Sequence, residues 1–562
     1  MVICGIKVSH DGGVAVIDGN RLMFSIEVEK LKNNYRYSSL GELDRVSEML
    51  RAEQIEPSDI DQFVVDGWYP PVGEASSAIL TSLHGTPLRL YVGPYTGSGA
   101  FRDPLHRHNF GGVKDSVLRA GYSSYAHASS HAIGAYCSSP FACRCEDSLV
   151  LVWDGGILPW LYDVRSAKSV VKRLHPILPI RGDLFGLFCG QLEPFVRDMS
   201  SMTAEDRTRS CLEVPGKAMA YAALGKIEPS LFPAFDELVR RFIPLAAAKA
   251  ADLRRGLAQT ALELFPGVSS ADLIATFQSF LGQSLADSLR RVLHNRYRGQ
   301  CPNLCLAGGC ALNIKWNALL RASGMFKEIW VPPFPNDSGA AIGTACCEML
   351  RQCGTLALQW DVYSGPLLGP NRCPDGWSSR PFDEKQLAEL LHIEGEPIVV
   401  LYGRAEIGPR ALGNRSILAP ATNIEMKRKL NAIKGRASYR PVAPICLASR
   451  ATEVFSPGLE DPYMVFENRV RSEWINLIPA VVHLDGSARL QTVSASQSNT
   501  VVGRILSEYE SLTGIPVLCN TSANFAGRGF FADVQDAAEW GVARYVWASG
   551  ALYTNPRRPS QI

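Results

Sequence analysis

No C-x-x-C pair occurs in this chain, although it holds 15 cysteines. The close pairs are Cys143/Cys145, Cys301/Cys305 and the adjacent Cys346/Cys347. That spacing excludes zinc-finger chemistry, and an odd, scattered count fits reduced thiols packed as small hydrophobes. An excess of one charge is also missing: 57 Lys and Arg face 55 Asp and Glu, for a formal net charge of +2. This balance gives no electrostatic reason to expect a nucleic-acid or acidic-membrane binder. Apolar runs such as Leu149-Val150-Leu151-Val152-Trp153 fall far short of the roughly 20 residues that a membrane span needs. No basic-then-apolar leader opens the sequence, where residues 1–6 read as a first strand, so a cytoplasmic location is expected. There is no Walker A pattern, no low-complexity stretch and no short repeat.

What is present is a soluble-protein composition, 46% hydrophobic and 20% charged, over 562 residues. At about 150 residues per domain, that length sets an expectation of two to four domains. Residues 2–8, 14–17 and 22–28 read as strands joined at Asp-Gly turns, a hairpin signal. A helix is expected near 41–53, and strands over 61–66 and 147–153. Residues 248–264 and 270–294 carry apolar positions at three- and four-residue spacing, so a helical block is expected between about 228 and 295. Strand, glycine-containing turn and helix then recur twice over 303–351, the pattern of α/β architecture with a ligand at the strand ends. The Pro-, Gly- and Ser-rich stretch 364–380 reads as a boundary, after which a second α/β unit begins.

Three constellations could carry chemistry. In His127-Ala-Ser-Ser-His131 a helix would put both imidazoles on one face, where they could share a metal; solvated or core histidines have the same spacing. Ala128 stands where a zincin needs Glu, so a metalloprotease is disfavoured. Asp154, ending a buried strand before two glycines, and Asp337, in Pro-Asn-Asp-Ser-Gly, would complete a His₂Asp₂ set suited to Fe²⁺, Zn²⁺ or Mn²⁺. Gly308, Gly309 and Gly339 precede helix starts and could let backbone approach an anion, or could serve only as tight turns. His10 in Ser-His-Asp-Gly-Gly is either solvated or a base beside such a site. Finally, Arg404, Arg410, Arg415, Lys434, Arg436, Arg440 and Arg489 sit among Gly, Pro and Ser with Asn520-Thr521-Ser522-Ala523-Asn524 nearby, a pattern that suits an anion pocket better than a solvated basic face.

Together these segments resemble the O-carbamoyltransferases of natural-product and nodulation-factor biosynthesis, the NodU/CmcH family. The matching pieces are S-H-D-G-G (9–13), H-A-S-S-H (127–131), W-D-G-G (153–156), L-A-G-G-C-A-L-N (306–313), P-N-D-S-G-A-A-I-G (335–343), G-P-R-A-L-G-N-R-S-I-L-A (408–419), K-G-R (434–436), Y-R-P-V-A-P (439–444), D-G-S-A-R-L-Q (485–491) and N-T-S-A-N (520–524). The resemblance implies an actin/sugar-kinase-type (ASKHA) domain with duplicated α/β lobes over 1–365, a linker over 366–383 and a YrdC-like α/β domain over 384–562. It implies that ATP and carbamoyl phosphate form carbamoyl adenylate in the C-terminal domain. The N-terminal domain then passes the carbamoyl group to a hydroxyl of a small natural product or sugar, as in antibiotic biosynthesis.

Carried over by motif, His127, His131, Asp154 and Asp337 correspond to the family's metal ligands, with Fe²⁺ the expected ion and Mg²⁺ accompanying ATP. Gly155, Gly308, Gly309, Asn313 and Gly339 correspond to its nucleotide turns, and His10 to the histidine that takes the acceptor's proton. Arg410, Lys434 and Arg440 correspond to the catalytic cations of the adenylation pocket, with Arg415, Arg436, Arg489, Ser522 and Asn524 binding there. A basic residue after the second strand touches the adenylate in many relatives, and Lys30, Lys32 and Arg36 compete for that role. His106 and His108 are expected on the surface, in a region shaping the acceptor pocket. A monomer or homodimer without nucleic-acid or membrane partners is expected. The alternatives are an ATP-binding regulatory module and a tRNA N-threonylcarbamoyl-type transferase.

Overall fold

Val2–Lys7, Gly13–Asp18 and Arg21–Glu27 form an antiparallel meander with Lys7 opposite Gly13, close to the strands that the Asp-Gly turns predict. The computed structural model describes residues 1–32, 34–97, 103–242, 250–297, 300–494 and 500–556. Its chain divides into two units, residues 1–28 with 37–361 and residues 29–36 with 362–562.

The first unit holds two sheets built on one plan. In the first, the meander continues through Val2–Lys7 to Gln62–Asp66 and Tyr122–Tyr125, both added in parallel, and His108–Phe110 closes the edge. In the second, Val170–Pro176, Trp160–Arg165 and Ser148–Val152 are antiparallel, and Asn303–Ala307 and Ile329–Trp330 follow in parallel. Buried central strands read as continuous apolar runs, as Ser148-Leu-Val-Leu-Val152 does.

Two helices, His127–Cys137 and Ala340–Cys353, cross where both carry glycine. A Cβ on Gly343 would lie 2.1 Å from the Ser130 carbonyl oxygen, and one on Gly134 would lie 2.9 Å from Gly343 Cα. The approach brings the start of the first helix close to the turn that carries Asp337. The helical block begins earlier than its periodicity indicates, at Ala204–Tyr221, and continues through Phe232–Phe242, Ala250–Leu264 and Ser270–Tyr297. Phe188, Phe235 and Phe277 pack together in its core, with ring centroids 4.6–5.7 Å apart: Phe235 stacks on Phe277 and Phe188 meets Phe235 edge to face.

The second unit is an eight-stranded mixed sheet, ordered Ser378–Pro381, Ala551–Thr554, Tyr545–Ala548, Ile398–Leu401, Arg415–Pro420, Val517–Ser522, Ala443–Leu447, Gln491–Val493. Side chains alternate between its faces with period two. Ile398, Val400 and Leu418 pack with Leu387, Leu391, Ile505 and Leu506, whereas Val399, Leu401 and Ile417 pack with Leu430, Val454 and Val534. Residues 366–383, expected as a linker, are bonded into this unit: Leu368 N donates to Gly403 O, Gly369 N to Ala532 O, and Ser378–Pro381 is an edge strand. The N-terminal segment 29–36 also belongs here. Gly529 packs on the Glu29 backbone and donates to Asn34 O, and Arg36 N donates to Gly527 O.

Candidate metal centre and anion pocket

Strand ends and one helix start of the first unit bring four donors together. Asp154 lies two residues beyond Ser148–Val152, and Asp337 opens the short turn Asp337–Gly339. His127 begins its helix, and His131 lies one turn on, facing the same way. One ligand atom from each of the four lies within 4.8 Å of every other, and all four residues are buried. The two histidine Nε2 atoms are 3.1 Å apart; each is 3.4 Å from Asp337 Oδ1, and they lie 3.8 and 3.9 Å from Asp154 Oδ2. A divalent ion bound at about 2.1 Å holds neighbouring donors about 3.0–3.5 Å apart, close to most of these spacings. The donor set therefore fits a divalent ion of the iron, manganese or zinc kind.

Neighbouring cations hold both carboxylates ionised. Burial works against the Asp337 carboxylate, but Lys7, His127 and His10 together hold its pKa well below the usual range. Asp154 is likewise lowered, against burial and Asp337, by His127 and His131. Burial also opposes the His127 imidazolium, yet Asp66 and Asp337 raise its pKa well above the ordinary value. Asp154 is fixed further: Oδ2 accepts the Tyr95 hydroxyl at 2.5 Å, and Oδ1 accepts the Gly309 N–H at 2.6 Å.

His10 sits at the rim, its side chain 21% exposed. Its Nδ1 bonds Asp11 Oδ2 at 2.9 Å, which turns Nε2 toward Asp337 Oδ2, 3.6 Å away. Burial disfavours its cation, and Asp337 and Asp11 reverse that effect, so its pKa is raised.

The glycine turns differ from expectation. Gly308, at φ 87°, closes the turn after Asn303–Ala307, where a Cβ would lie 2.4 Å from Trp153 O; Gly309 gives its N–H to Asp154. Gly339 donates to Asn336 O and lies against Phe334, leaving no room for a ligand at its Cα. Asn313 caps the helix Ile314–Ala322, its Oδ1 accepting from Lys315 N, Trp316 N and Gln278 Nε2. Gly309, Gly339 and Asn313 each bond within the protein's own turns. Asn313→Ala is expected to cost about 1 kcal/mol through the lost cap, and Asn313→Ser to recover most of it, as read from denaturant midpoints. Gly155 is more open: the nearest atom to a Cβ built there is the Tyr95 hydroxyl, at 3.4 Å.

Cations gather in the second unit. Arg436 is brought down to about 9 by burial, Arg440 and Arg36, and Arg489 to about 10 by burial and Arg36. Lys434 is lowered well below its ordinary value by burial, Arg436 and Arg36. For these three, the only charged neighbours among the described residues that shift them are other cations. Lys434 Nζ donates to Ser522 O, Asn524 O and Asn524 Oδ1, and Arg436 to Thr521 Oγ1. The buried Nε atoms of Arg410 and Arg489 meet no acceptor among the described residues.

Of the three competing N-terminal cations, Arg36 is the one among this group. Lys30 Nζ instead donates to the carbonyls of Glu406 and Gly408, and the charge that Lys32 presents falls on Asp536. Arg415, Ser522 and Asn524 are bonded within the protein. Arg415 is 1% exposed and donates to the carbonyls of Tyr402, Asn414, Gly403 and Pro366. Asn524 Oδ1 accepts from Lys434 and Ser522 Oγ, and its amide donates to Phe525 O and Arg528 O. All three brace the pocket wall. Arg415→Met leaves those carbonyls and the buried Glu406 without their cation and is expected to destabilise the protein by about 3–5 kcal/mol, measured as a drop in denaturant midpoint.

Sequence reasoning missed Lys7, Asp66 and Glu406. Glu406 Oε1 accepts the N–H groups of Leu412, Asn414 and Arg415 and so shapes the 408–415 loop. Asp66 shows the sign that exposed Asp154, a carboxylate ending an apolar strand before glycine. His106 and His108 are half-buried and pack edge to face at 4.6 Å, outside the four-donor cluster.

Residues 2–346 match the family described as carbamoyltransferase N-terminus, and residues 388–546 match carbamoyltransferase C-terminus. The chain belongs to the carbamoyltransferase family and is a transferase. It is 43% identical over 579 residues to nodulation protein U of Sinorhizobium fredii, covering 99% of each chain. It is 32% identical over 549 residues to the 3'-hydroxymethylcephem-O-carbamoyltransferase of Streptomyces clavuligerus, covering 96% of each. Component A of the Acidaminococcus fermentans (R)-2-hydroxyglutaryl-CoA dehydratase aligns over 62% of this chain and 96% of its own with a TM-score of 0.32 at 12% identity, a likeness too slight to carry weight. No helix among the described residues is long and apolar enough to cross a membrane.

Proposed function

We propose that this chain is an O-carbamoyltransferase working in two steps, with a YrdC-like second unit that makes carbamoyl adenylate and an ASKHA-type first unit that uses it. The observation that carries the reading is the second unit's cluster of Lys434, Arg436, Arg440, Arg489 and Arg36, buried and half-buried cations whose mutual repulsion an anion would relieve.

Carbamoyl phosphate gives its phosphoryl group to water, and the resulting carbamate oxygen attacks the α-phosphorus of ATP, expelling pyrophosphate. Both substrates are polyanions, and the arginines hold them together against their repulsion and stabilise charge on the leaving pyrophosphate. The Nε–H groups of Arg410 and Arg489 have no acceptor among the described residues. Lys434 holds the 522–524 strand end in place and adds field.

In the first unit His127, His131, Asp154 and Asp337 would hold a divalent ion, with iron the family's expectation. Bound there, it supplies Lewis-acid orientation of the adenylate's oxygens. His10 takes the acceptor hydroxyl's proton at Nε2, Asp11 holding the imidazole by Nδ1. The hydroxyl oxygen attacks the carbamoyl carbon and AMP leaves. The acceptor is a small-molecule alcohol, the class that the name of the Streptomyces relative specifies for that enzyme.

A variant tests the first step. Arg436→Met is expected to lower kcat/KM for carbamoyl-phosphate-dependent pyrophosphate release by roughly a hundred- to a thousandfold, the cost of removing one preorganised cation from developing anionic charge. An unchanged kcat/KM would contradict the assignment.

A further inference from the structure

Two charged side chains lie beneath the four-donor cluster without belonging to it. Lys7 ends Val2–Lys7, Asp66 ends the adjacent parallel strand Gln62–Asp66, and both are 1% exposed. Asp66 Oδ2 meets His127 Nδ1 at 2.6 Å and Lys7 Nζ at 2.9 Å. The same Lys7 ammonium lies 2.8 Å from Asp337 Oδ2 and 4.3 Å above the Trp68 ring. Asp337 thus presents Oδ1 to the two histidines, while Oδ2 faces Lys7.

Buried charges this close to one another are retained only where their geometry is fixed. Here each contact constrains a donor. With His127 Nδ1–H given to Asp66, the Nε2 lone pair is the one left for an ion. With Oδ2 engaged by Lys7, Asp337 has one oxygen to offer. Charge is set as well: once both imidazoles are neutral as ligands, Asp66, Asp154 and Asp337 against Lys7 leave two net negative charges, which one divalent cation would neutralise.

We propose that Lys7 and Asp66 are positioning residues that fix the tautomer of His127 and the free oxygen of Asp337, and that together they set the centre's charge for a divalent over a trivalent ion. The proposal rests on the reading of the four-donor cluster as a metal centre. The two residues carry opposite charges, so their removal must move ion preference in opposite directions. A scaffold role for either would weaken every ion alike.

The test uses the full-length protein stripped of metal and titrated with Mn²⁺ and with Tb³⁺, with His131→Ala as the ligand control. Wild type is expected to bind one Mn²⁺ per chain, and His131→Ala to lose it. Asp66→Asn is expected to weaken Mn²⁺ binding about ten- to a hundredfold and Tb³⁺ binding more. Lys7→Met is expected to raise the ratio of Tb³⁺ to Mn²⁺ affinity by roughly tenfold or more, the effect of one charge inside a buried site. If Lys7→Met does not fold, Lys7→Gln makes the same charge change, and Asp66→Asn alone still decides through its ratio. Ratios within twofold of wild type in the variants, with wild type and His131→Ala behaving as stated, would overturn the proposal and leave the metal centre standing. Wild type binding neither ion would remove the metal centre and this proposal with it.

Discussion

Arg489→Ala is expected to lower carbamoyl-phosphate-dependent pyrophosphate release by roughly a hundred- to a thousandfold, the usual cost of removing one preorganised donor from developing anionic charge. The side chain is suited to that role because its buried Nε meets no acceptor among the described residues and its pKa is brought down to about 10 by burial and Arg36. A cation in that position gains more from an incoming phosphate than it loses in residual hydration. The variant should stay folded, since Arg489 lacks the four backbone carbonyl contacts that make Arg415 structural. Supplied with preformed carbamoyl adenylate, it should carbamoylate an alcohol at the wild-type rate. Loss of that second activity as well would place Arg489 in a shared scaffold.

His10→Asn should show the reverse pattern. Pyrophosphate release stays at the wild-type level, while transfer to the acceptor falls by about 10²–10⁴-fold, the contribution of a positioned base. Asn keeps a polar side chain beside Asp11 but cannot accept and release a proton. Metal content should be unchanged, because His10 Nε2 reaches only the outer oxygen of Asp337, at 3.6 Å. A variant that loses metal, or that transfers normally, would remove the base assignment.

The four clustered donors were legible because each carries a local sign. His127 and His131 share a face once their segment is helical, and Asp154 and Asp337 stand where buried strands break at glycine-containing turns. The meander was legible for a similar reason, since turn residues between extended runs are local signals. What failed to show depends on distant contacts. The cap made by Asn313 is not visible in Leu-Asn313-Ile until Gln278 and the helix Ile314–Ala322 are in place. Lys30, Lys32 and Arg36 are indistinguishable by type. Lys30 is drawn away by carbonyls 376 and 378 residues later, a separation no motif records. Residues 366–383 have a linker's composition, yet Pro and Gly also suit an edge strand and its flanking turns. Lys7 is invisible for a related reason: a lone lysine at a strand end gives no hint of burial until Asp66 and Asp337 close on it.

The division of labour stands or falls on one assay, pyrophosphate release by the full-length wild type given ATP without any acceptor alcohol. The account predicts release that needs carbamoyl phosphate, that is lost in Arg489→Ala and that persists in His10→Asn. Release independent of carbamoyl phosphate, or none at all from metal-loaded protein, would contradict adenylation in the second unit.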